Sequence, residues 1–516
     1  MLTTQVRPPV PLLAFVIILA LSSATSAQPA IGVPPTEPRQ PGAIDSPPAW
    51  LRDAPFDVAR FFAMPPAAEN AAPLYIEAFA EFDGAVAPCF PPERRGAVEA
   101  AGFRWKRWEA TWESWYRGGP DSVPAEQVDA LLAEYSKGLR LLDRAQARPR
   151  CVFTTALLPD TPLLTLQASR IASRLLAIQA GRQVQRGDFA GALSALAKLF
   201  RLSRDVRPRG YSICQAVSVA NDLIATEHVL PIFLASPRLQ PGHCDRLLAL
   251  LAKHEAEGLD PFATGIRADY LLERIYFHWL VNGRLTVASP DGRPTEQQLD
   301  HKSQVQALLG EILEHGPRRP GAGTDLLDDP AALAAFKAIG EQDAGAIAYN
   351  ERILQSWQRD AGRTRAVLDD YARSLIAAPP TYPGRVAVFD RLQQARKSGP
   401  DPTFEMMFSP ANYSILIQTS SRQLASLNAA KCQIALRRWQ LTRPAPPTDL
   451  AAACRAAKLP AIPVDPYCGQ PLRMVVDGVP IVYSVGLDGD DDHGRVDAEF
   501  GRKPDGDFLF RLPRVR

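Results

Sequence analysis

The sequence predicts a mainly α-helical fold: an irregular array of helical hairpins followed by a small α+β module with an antiparallel hairpin. Three observations predict it. Apolar residues recur at helical spacing from Trp50 onward, a helix–turn–helix phrase surrounds Gly187-Asp188, and the strongest hairpin signal, Asp477-Gly478, lies near the C-terminus. Helices followed by a single hairpin are typical of an α-rich body with a small α+β tail.

The N-terminus has the three parts of a secretory signal peptide. Arg7 supplies a charge, residues 10–21 are apolar, and the phrase SSATSA provides small residues, so we expect cleavage after Ala27. Residues 1–27 are therefore predicted to direct export to the periplasm or the exterior. The apolar run is shorter than the ~20 residues of a spanning helix, and an uncleaved membrane anchor is the alternative. No second hydrophobic span follows, so the mature chain is expected to have no membrane span.

Composition and charge define the remaining domain organisation. Residues 28–49 are rich in proline and small residues and are predicted to be a disordered linker. Residues 50–410 form the predicted helical domain and residues 411–516 the α+β module. The net charge of +2 over 516 residues argues against a nucleic-acid partner.

A tryptophan stripe marks the first long helix, predicted over residues 94–117. The spacings of three, four and three residues place all four indoles on one helical face. Such a stripe can form a sugar-binding platform, but it is more often a core seam against a neighbouring helix. The four residues are Trp105, Trp108, Trp112 and Trp115.

Further helices follow from apolar periodicity and from capping residues. The phrase RGDFAGALSALAKLFRL resembles the turn and second helix of a tetratricopeptide repeat, but no 34-residue period continues along the chain. A second helix of the first hairpin begins near Pro124 and runs past Leu142. The other predicted helices cover residues 162–186, 189–204, 212–234, 243–257, 261–281, 296–315, 328–376 (broken near 340–345), 386–397 and 412–441.

The C-terminal module is predicted to contain three strands. Two β-branched runs, residues 472–476 and 479–485, flank Asp477-Gly478, a pair that tolerates the positive φ angles of a type I′ turn. A third run, residues 508–512, could add another strand.

An acidic loop follows the second strand. Asp488, Asp490 and Asp492 alternate, and alternate loop residues can turn their carboxylates toward one cation. Glu499 completes the ligand spacing of an EF-hand loop, but His493 occupies the position of the sharp-turn glycine and no helix signal flanks the loop. Together with Asp497 these residues are a candidate calcium site; a solvated acidic turn is the alternative.

In this module a helix is followed by Asp-Pro-aromatic, then by a hairpin, then by Tyr-Ser-x-Gly-x-Asp-Gly. This order of features resembles the C-terminal half of the major pseudopilins of type II secretion. The resemblance covers about the last hundred residues and implies a calcium ion in the loop, held by Asp488 and its acidic neighbours. The matching positions are Asp465, Pro466, Tyr467, Gly469, Pro471, Tyr483, Ser484, Gly486, Asp488 and Gly489.

The body resembles a group of large, exported, helix-rich bacterial proteins of unknown function. The phrases that carry this resemblance are NAAPLY from Asn70, CFPPERR from Cys89, RPRC ending at Cys151 and LSRDVRPRG from Leu202. It spans residues 50 to about 280. It implies a helical fold and export, and no activity.

Seven cysteines would make disulfides possible in an exported protein, although the number is odd. Cys89 and Cys151 bracket a predicted helical hairpin whose outer ends lie close together, so they form one candidate pair. Cys454 and Cys468 bracket a short irregular stretch before the strands and form a second. Sequence alone does not fix the connectivity.

Compact catalytic motifs are absent from the sequence, which contains no His-Glu-x-x-His, Gly-x-Ser-x-Gly, phosphate-binding glycine loop or paired CxxC. We therefore expect a non-enzymatic scaffold or binding protein for an envelope protein or polymer, with a calcium-stabilised C-terminal module. One alternative is a hydrolase of envelope polymers with its site in a groove of the helical body. Another is an accessory component of a secretion or pilus-like system, which the lack of a prepilin cleavage motif makes less favoured.

Overall fold

A computed structural model describes residues 43–156, 165–288, 293–298, 355, 358–397, 410–443, 445, 447, 449–495 and 506–515. This part of the chain is mainly helical and includes a small three-stranded antiparallel sheet. The predicted signal peptide lies outside the described residues. The end of the predicted linker is ordered, because Ala43–Ile44 pairs with Thr155–Ala156 and Ile44 is fully buried.

The N-terminal third consists of short helices packed around one long one. The Pro120–Ser122 turn separates the long helix α3 from α4. Helix α4 ends at Glu134, and Tyr135 separates it from α5, where a single helix was predicted to continue through Leu142. The elements are β1 Ala43–Ile44, α1 Val58–Phe62, α2 Ala72–Phe79, α3 Pro92–Gly118, α4 Ala125–Glu134, α5 Ser136–Gln146 and β2 Thr155–Ala156, with 3-10 turns at Ala49–Leu51, Gly84–Cys89 and Pro120–Ser122.

The central third is a series of antiparallel helices. Gly187, at φ +78°, allows the tight turn between α6 and α7, and the Asp188 carboxylate caps α7 by accepting from the Gly191 N–H at 2.9 Å. The elements are α6 Thr165–Arg186, α7 Phe189–Asp205, α8 Ser212–Leu223, a π-helical turn Ile224–Val229, α9 Leu230–Ala235, α10 Pro241–Glu257 and α11 Pro261–Asn282.

The C-terminal third begins with a hairpin where the sequence predicted a helix. Arg284–Ala288 pairs with Pro294–Gln298, so the helix predicted over 296–315 is wrong at its start, and residues 301–315 lie outside the described part. Most of the helix predicted over 328–376 also lies outside it. The elements are β3 Arg284–Ala288, β4 Pro294–Gln298, α12 Ala361–Ile376, α13 Tyr382–Lys397, α14 Pro410–Thr442, α15 Leu450–Ala456, β5 Arg473–Asp477, β6 Val479–Ser484 and β7 Phe508–Arg511.

The sheet confirms an antiparallel hairpin near the C-terminus. β6 pairs with β5 on one side and with β7 on the other, in register Val482↔Met474 and Val482↔Phe510. Gly478 has a positive φ of +66°, whereas the φ angle of Asp477 is not positive. A type I′ turn needs positive φ at both central residues, so the turn between β5 and β6 is not of that type.

Helix α14 joins the sheet to the body. It packs against α8, α10 and α11 and also against β6 and β7. One continuous core holds Trp115 of α3, Leu199 of α7 and Ala435 of α14 together with Val482 and Phe510 of the sheet. A second core surrounds α11 and α12. The sheet therefore shares its hydrophobic core with the helical body.

The stretch Ser212–Ala235 is the one described helix long and apolar enough to cross a membrane, judged by length and composition alone. It includes the π-helical turn, and 61% of its most apolar window is buried among other helices. A core helix of a soluble protein has the same properties.

Candidate functional site

Three aspartates of the C-terminal loop converge on one point. Carboxylate oxygens of Asp488, Asp490 and Asp492 all lie within 4.8 Å of one another. Asp488 and Asp490 are exposed, and Asp492 is half-buried. Because carboxylate oxygens are the ligands that calcium and magnesium prefer, this donor set fits a hard cation. Asp497 and Glu499, the other two predicted ligands, lie outside the described residues.

The backbone of the loop is fixed at both ends. Gly486 has φ +74°, and a Cβ there would lie 2.6 Å from the carbonyl oxygen of Gly506, so only glycine fits. The Asp488 Oδ2 accepts a hydrogen bond from the Gly506 N–H at 2.8 Å. His493, which occupies the expected glycine position, adopts a left-handed φ of +57°. These contacts hold the loop against the chain that enters β7.

Asp465 ties the two halves of the predicted motif together. It is buried, and its carboxylate accepts from the Ser484 Oγ at 2.8 Å, the Val485 N–H at 2.9 Å and the Tyr467 N–H at 3.0 Å. An Asp that accepts backbone hydrogen bonds fixes local chain direction. The Asp-Pro-Tyr turn thereby positions the end of β6, from which the acidic loop starts.

Asp507 is a fourth carboxylate beside this loop, and sequence reasoning missed it. The residue is 3% exposed, and its Oδ2 accepts from the Gly494 N–H at 2.7 Å. Its Oδ1 has no hydrogen-bond partner in the described part of the chain. Burial, reinforced by the charges of Asp492 and Asp491, raises the pKa of Asp507 to about 6.

The acidic loop carries mutual repulsion. The pKa of Asp490 is raised, first by its hydrogen bond to Asp488 and then by the charge of Asp488. A bound cation would offset this repulsion and favour the ionised form of the carboxylates.

The tryptophan stripe lies inside the protein. Trp105, Trp112 and Trp115 are at most 4% exposed, and Trp112 stacks on Trp115 with ring centroids 5.6 Å apart. Trp108 is partly buried, and its Nε1–H donates to Glu134 Oε2 at 2.8 Å. This burial favours the core-seam interpretation over a sugar platform, because the three inner indoles present almost no face to solvent.

The predicted disulfides are not formed in this structure, in which all seven cysteines are free thiols. Burial raises the pKa of both thiols, that of Cys89 to about 12. The charged groups that act on them differ: Arg95 acts on Cys89, whereas Asp205 and Arg201 act on Cys151. Cys454 is hydrogen-bonded to Cys432 rather than positioned beside Cys468. The short stretch between Cys454 and Cys468 therefore does not bring its two ends into bonding distance.

A buried polar centre joins the four helices α7, α8, α10 and α14, and no sequence motif predicts it. The fully buried Asp222 accepts hydrogen bonds from Arg207 and Gln423, and the His254 Nε2 lies 3.2 Å from its Oδ1. Arg204 donates to the His254 Nδ1 at 3.1 Å, so the ring proton belongs on Nε2, facing Asp222. Burial acts to raise the pKa of Asp222, but His254 and Arg207 outweigh it, and the pKa is lowered.

The centre lies beside a small apolar gap lined by Phe200, Thr226 and Leu251, among others. It is sealed from solvent, since Asp222 is fully buried and His254 is 1% exposed. The arrangement is therefore suited to holding helices together. His254 of α10 is one of its members.

Fold and site together define a mainly helical chain with a small antiparallel sheet and a carboxylate cluster suited to a hard cation. No protein-family model matches this chain, and neither a curated protein nor a solved structure matches it.

Proposed function

We propose that this chain is an exported, non-enzymatic helical scaffold or binding protein whose C-terminal segment is stabilised by calcium. The observation that carries the proposal is the convergence of Asp488, Asp490 and Asp492. Oxygens that bind one calcium ion at about 2.4 Å lie at most about 4.8 Å apart. The spacing of the three carboxylates fits that limit.

Asp507 supports the same proposal independently of the loop sequence. It is buried, its Oδ1 has no hydrogen-bond partner among the described residues, and the charges of Asp492 and Asp491 act on its carboxyl group. A buried, unpartnered carboxylate oxygen costs free energy unless a donor or a cation satisfies it. Asp507 is not among the carboxylates that lie within 4.8 Å of one another, so it would act by accepting a hydrogen bond from a water ligand of the ion.

Calcium is favoured over magnesium by the nature of the loop. Calcium takes six to eight oxygens in adaptable geometry, whereas magnesium requires a small octahedral site and retains several waters. A loop that offers three carboxylates on alternate residues, with backbone carbonyls between them, suits the larger ion. The resemblance of the segment to major pseudopilins implies the same ion.

The helical body supplies the scaffold part of the proposal. The α6–α7 pair is an antiparallel hairpin with a tight turn at Gly187-Asp188. Stacked hairpins of this kind offer extended surfaces to partners. The envelope-polymer hydrolase and the secretion accessory remain predictions from the sequence.

Thermal unfolding of the full chain in calcium, in magnesium and in a chelator tests the calcium site. Calcium bound only to the folded form should add about 2.7 kcal/mol at a hundredfold excess over Kd. Asp488→Asn should abolish that gain while it keeps an acceptor for the Gly506 N–H. Asp477→Asn is the matched control, because this exposed carboxylate lies outside the loop and should leave the calcium effect intact.

Equal gains in stability from calcium and from magnesium would contradict the proposed preference of the site for calcium. No response to millimolar calcium would mean that the loop is a solvated acidic turn.

A further inference from the structure

Two arginines lie one turn apart on α6, against the tryptophan stripe of α3. Arg174 is only 7% exposed. Its guanidinium carbon lies 5.6 Å from the ring centroid of Trp105 and 5.4 Å from that of Trp112. Arg170 is half-buried and donates to Gln167 Oε1 at 3.2 Å. The Arg174 cation therefore lies against two indole rings, with Arg170 one turn away on the same helix.

Neither cation has a carboxylate partner within salt-bridge distance in the part of the chain that the structure describes. The nearest acids, Glu109 and Glu113, act on Arg174 only through longer-range attraction, and Glu113 is already paired with Arg117 at 3.2 Å. Buried charges are normally paired. This pair of arginines is an exception.

Arg182, further along the same helix, shows the usual arrangement. Its Nε and Nη2 donate to the two carboxylate oxygens of Asp129 at 3.0 and 2.9 Å. Such a bidentate pair satisfies the planar guanidinium fork. The missing partner at Arg174 is therefore a property of that position and not of the helix.

The lowered pKa of Arg174 and an unpartnered donor beside it both indicate a place where an anion could bind. Burial, and then the neighbouring charge of Arg170, lowers the pKa of Arg174 to about 10. The Nε1 of Trp105 is a further donor without a partner among the described residues, so this region is short of acceptors. The Arg174 nitrogens, unlike the Nε1 of Trp105, are not among the fully buried atoms without a partner, so they keep some contact with solvent.

We propose that Arg170 and Arg174 form a binding site for an oxyanion, the carboxylate or phosphate group of a ligand. Guanidinium groups bind both kinds of oxyanion through paired N–H donors, more strongly where water is excluded. Trp105 and Trp112 hold the Arg174 fork in place. The site lies in the helical body and does not depend on calcium at the C-terminal loop.

Tryptophan fluorescence of the full chain tests the site, because the ligand would bind beside Trp105 and Trp112. The protein is titrated with sodium phosphate and, separately, with sodium acetate, each against sodium chloride at equal ionic strength. We expect a saturable change with at least one of the two oxyanions. A response to phosphate alone identifies a phosphate-bearing ligand, and a response to acetate extends the site to carboxylates.

The variants decide whether the two arginines carry the effect. Arg174→Met keeps an apolar chain between the indoles and should weaken binding at least about tenfold, as loss of a charge-assisted bidentate contact does. Arg170→Gln, at a half-buried position, should also weaken it, and it decides the test if Arg174→Met does not fold. Arg182→Gln removes the same charge from the same helix and should leave the affinity unchanged.

Absence of any saturable response in the wild type would overturn the proposal. So would an undiminished affinity in both Arg170→Gln and Arg174→Met.

Discussion

Asp507 makes the acidic loop sensitive to pH in the absence of metal. Its folded-state pKa, about 6, is above the ordinary value of 3.8, so the folded protein holds this proton more tightly than the unfolded chain. The resulting stability is present below pH 4 and is lost as the pH rises through 6. At neutral pH the ionised Asp507 therefore destabilises the fold.

Asp507→Asn should consequently stabilise the metal-free protein by roughly 1–3 kcal/mol at pH 7.5, and by little at pH 4. An asparagine oxygen can still accept from the Gly494 N–H. Urea unfolding at the two pH values in metal-free buffer measures the difference. The same gain at both pH values would show that the carboxylate charge is not its source.

Asp222 is the residue on which the buried polar centre depends. Its removal would leave Arg207 and His254 without their shared acceptor, inside a region that water does not reach. Breaking a buried ion pair by deleting one partner costs about 3–5 kcal/mol, so Asp222→Ala should lose that much stability.

Asp129→Ala is the control for Asp222→Ala in the same urea unfolding experiment. It deletes the partner of Arg182 and Arg186 at a site near the surface, where such an ion pair contributes little to stability. Similar losses in the two variants would contradict the description of Asp222 as a sealed centre.

At the scale of elements, the crossing of α3 over α6 depends on a glycine. A Cβ on Gly181 would lie 2.9 Å from the Trp115 ring and 3.3 Å from Ile232. Gly181→Ala should therefore destabilise the protein by roughly 1–3 kcal/mol through overpacking.

Gly96→Ala is the matched substitution within α3, where a Cβ would meet no atom within 4 Å. There the alanine should stabilise the helix by up to about 1 kcal/mol. Denaturant midpoints of the two variants should move in opposite directions. A stabilising Gly181→Ala would mean that α3 and α6 do not approach as closely as described.

Helical periodicity predicted most described helices because it depends on residues close in sequence. The stripe predicted α3 over residues 94–117 and the structure has it over Pro92–Gly118. Periodicity did not predict the break at Tyr135 or the π-helical turn at Ile224–Val229, where tertiary packing changes the backbone without changing the apolar pattern. Glu296 and its neighbours gave a helical pattern, yet they pair with Arg284–Ala288.

In the candidate site, too, the sequence predicts the groups that lie close together along the chain and not those that tertiary contacts bring near. Alternate spacing predicted the convergence of Asp488, Asp490 and Asp492, because one loop contains them all. Asp507 comes to lie beside this loop only because the strand that follows it, β7, pairs with β6. The Arg174 site likewise requires α6 to cross α3 and has no local motif. Groups that meet through tertiary contacts leave no spacing for sequence analysis to detect.

At the scale of the whole molecule, the shared core decides how far calcium acts. Val482 and Phe510 of the sheet belong to the same core as Trp112 and Trp115 of α3, whereas Tyr371 of α12 belongs to the second core. If this core unfolds cooperatively, an ion bound at the loop stabilises α3 as well as the sheet.

Hydrogen exchange of the full chain, measured with calcium and with chelator, shows which elements the bound ion stabilises. We expect calcium to slow exchange in β5–β7, α14 and α3, with a smaller effect in α12, and Asp488→Asn to remove the slowing everywhere. Protection confined to residues 449–495 and 506–515 would show instead that the C-terminal segment opens independently of the body. In that case residues 411–516 would behave as the separate module predicted from the sequence, despite the core that the sheet shares with the helices.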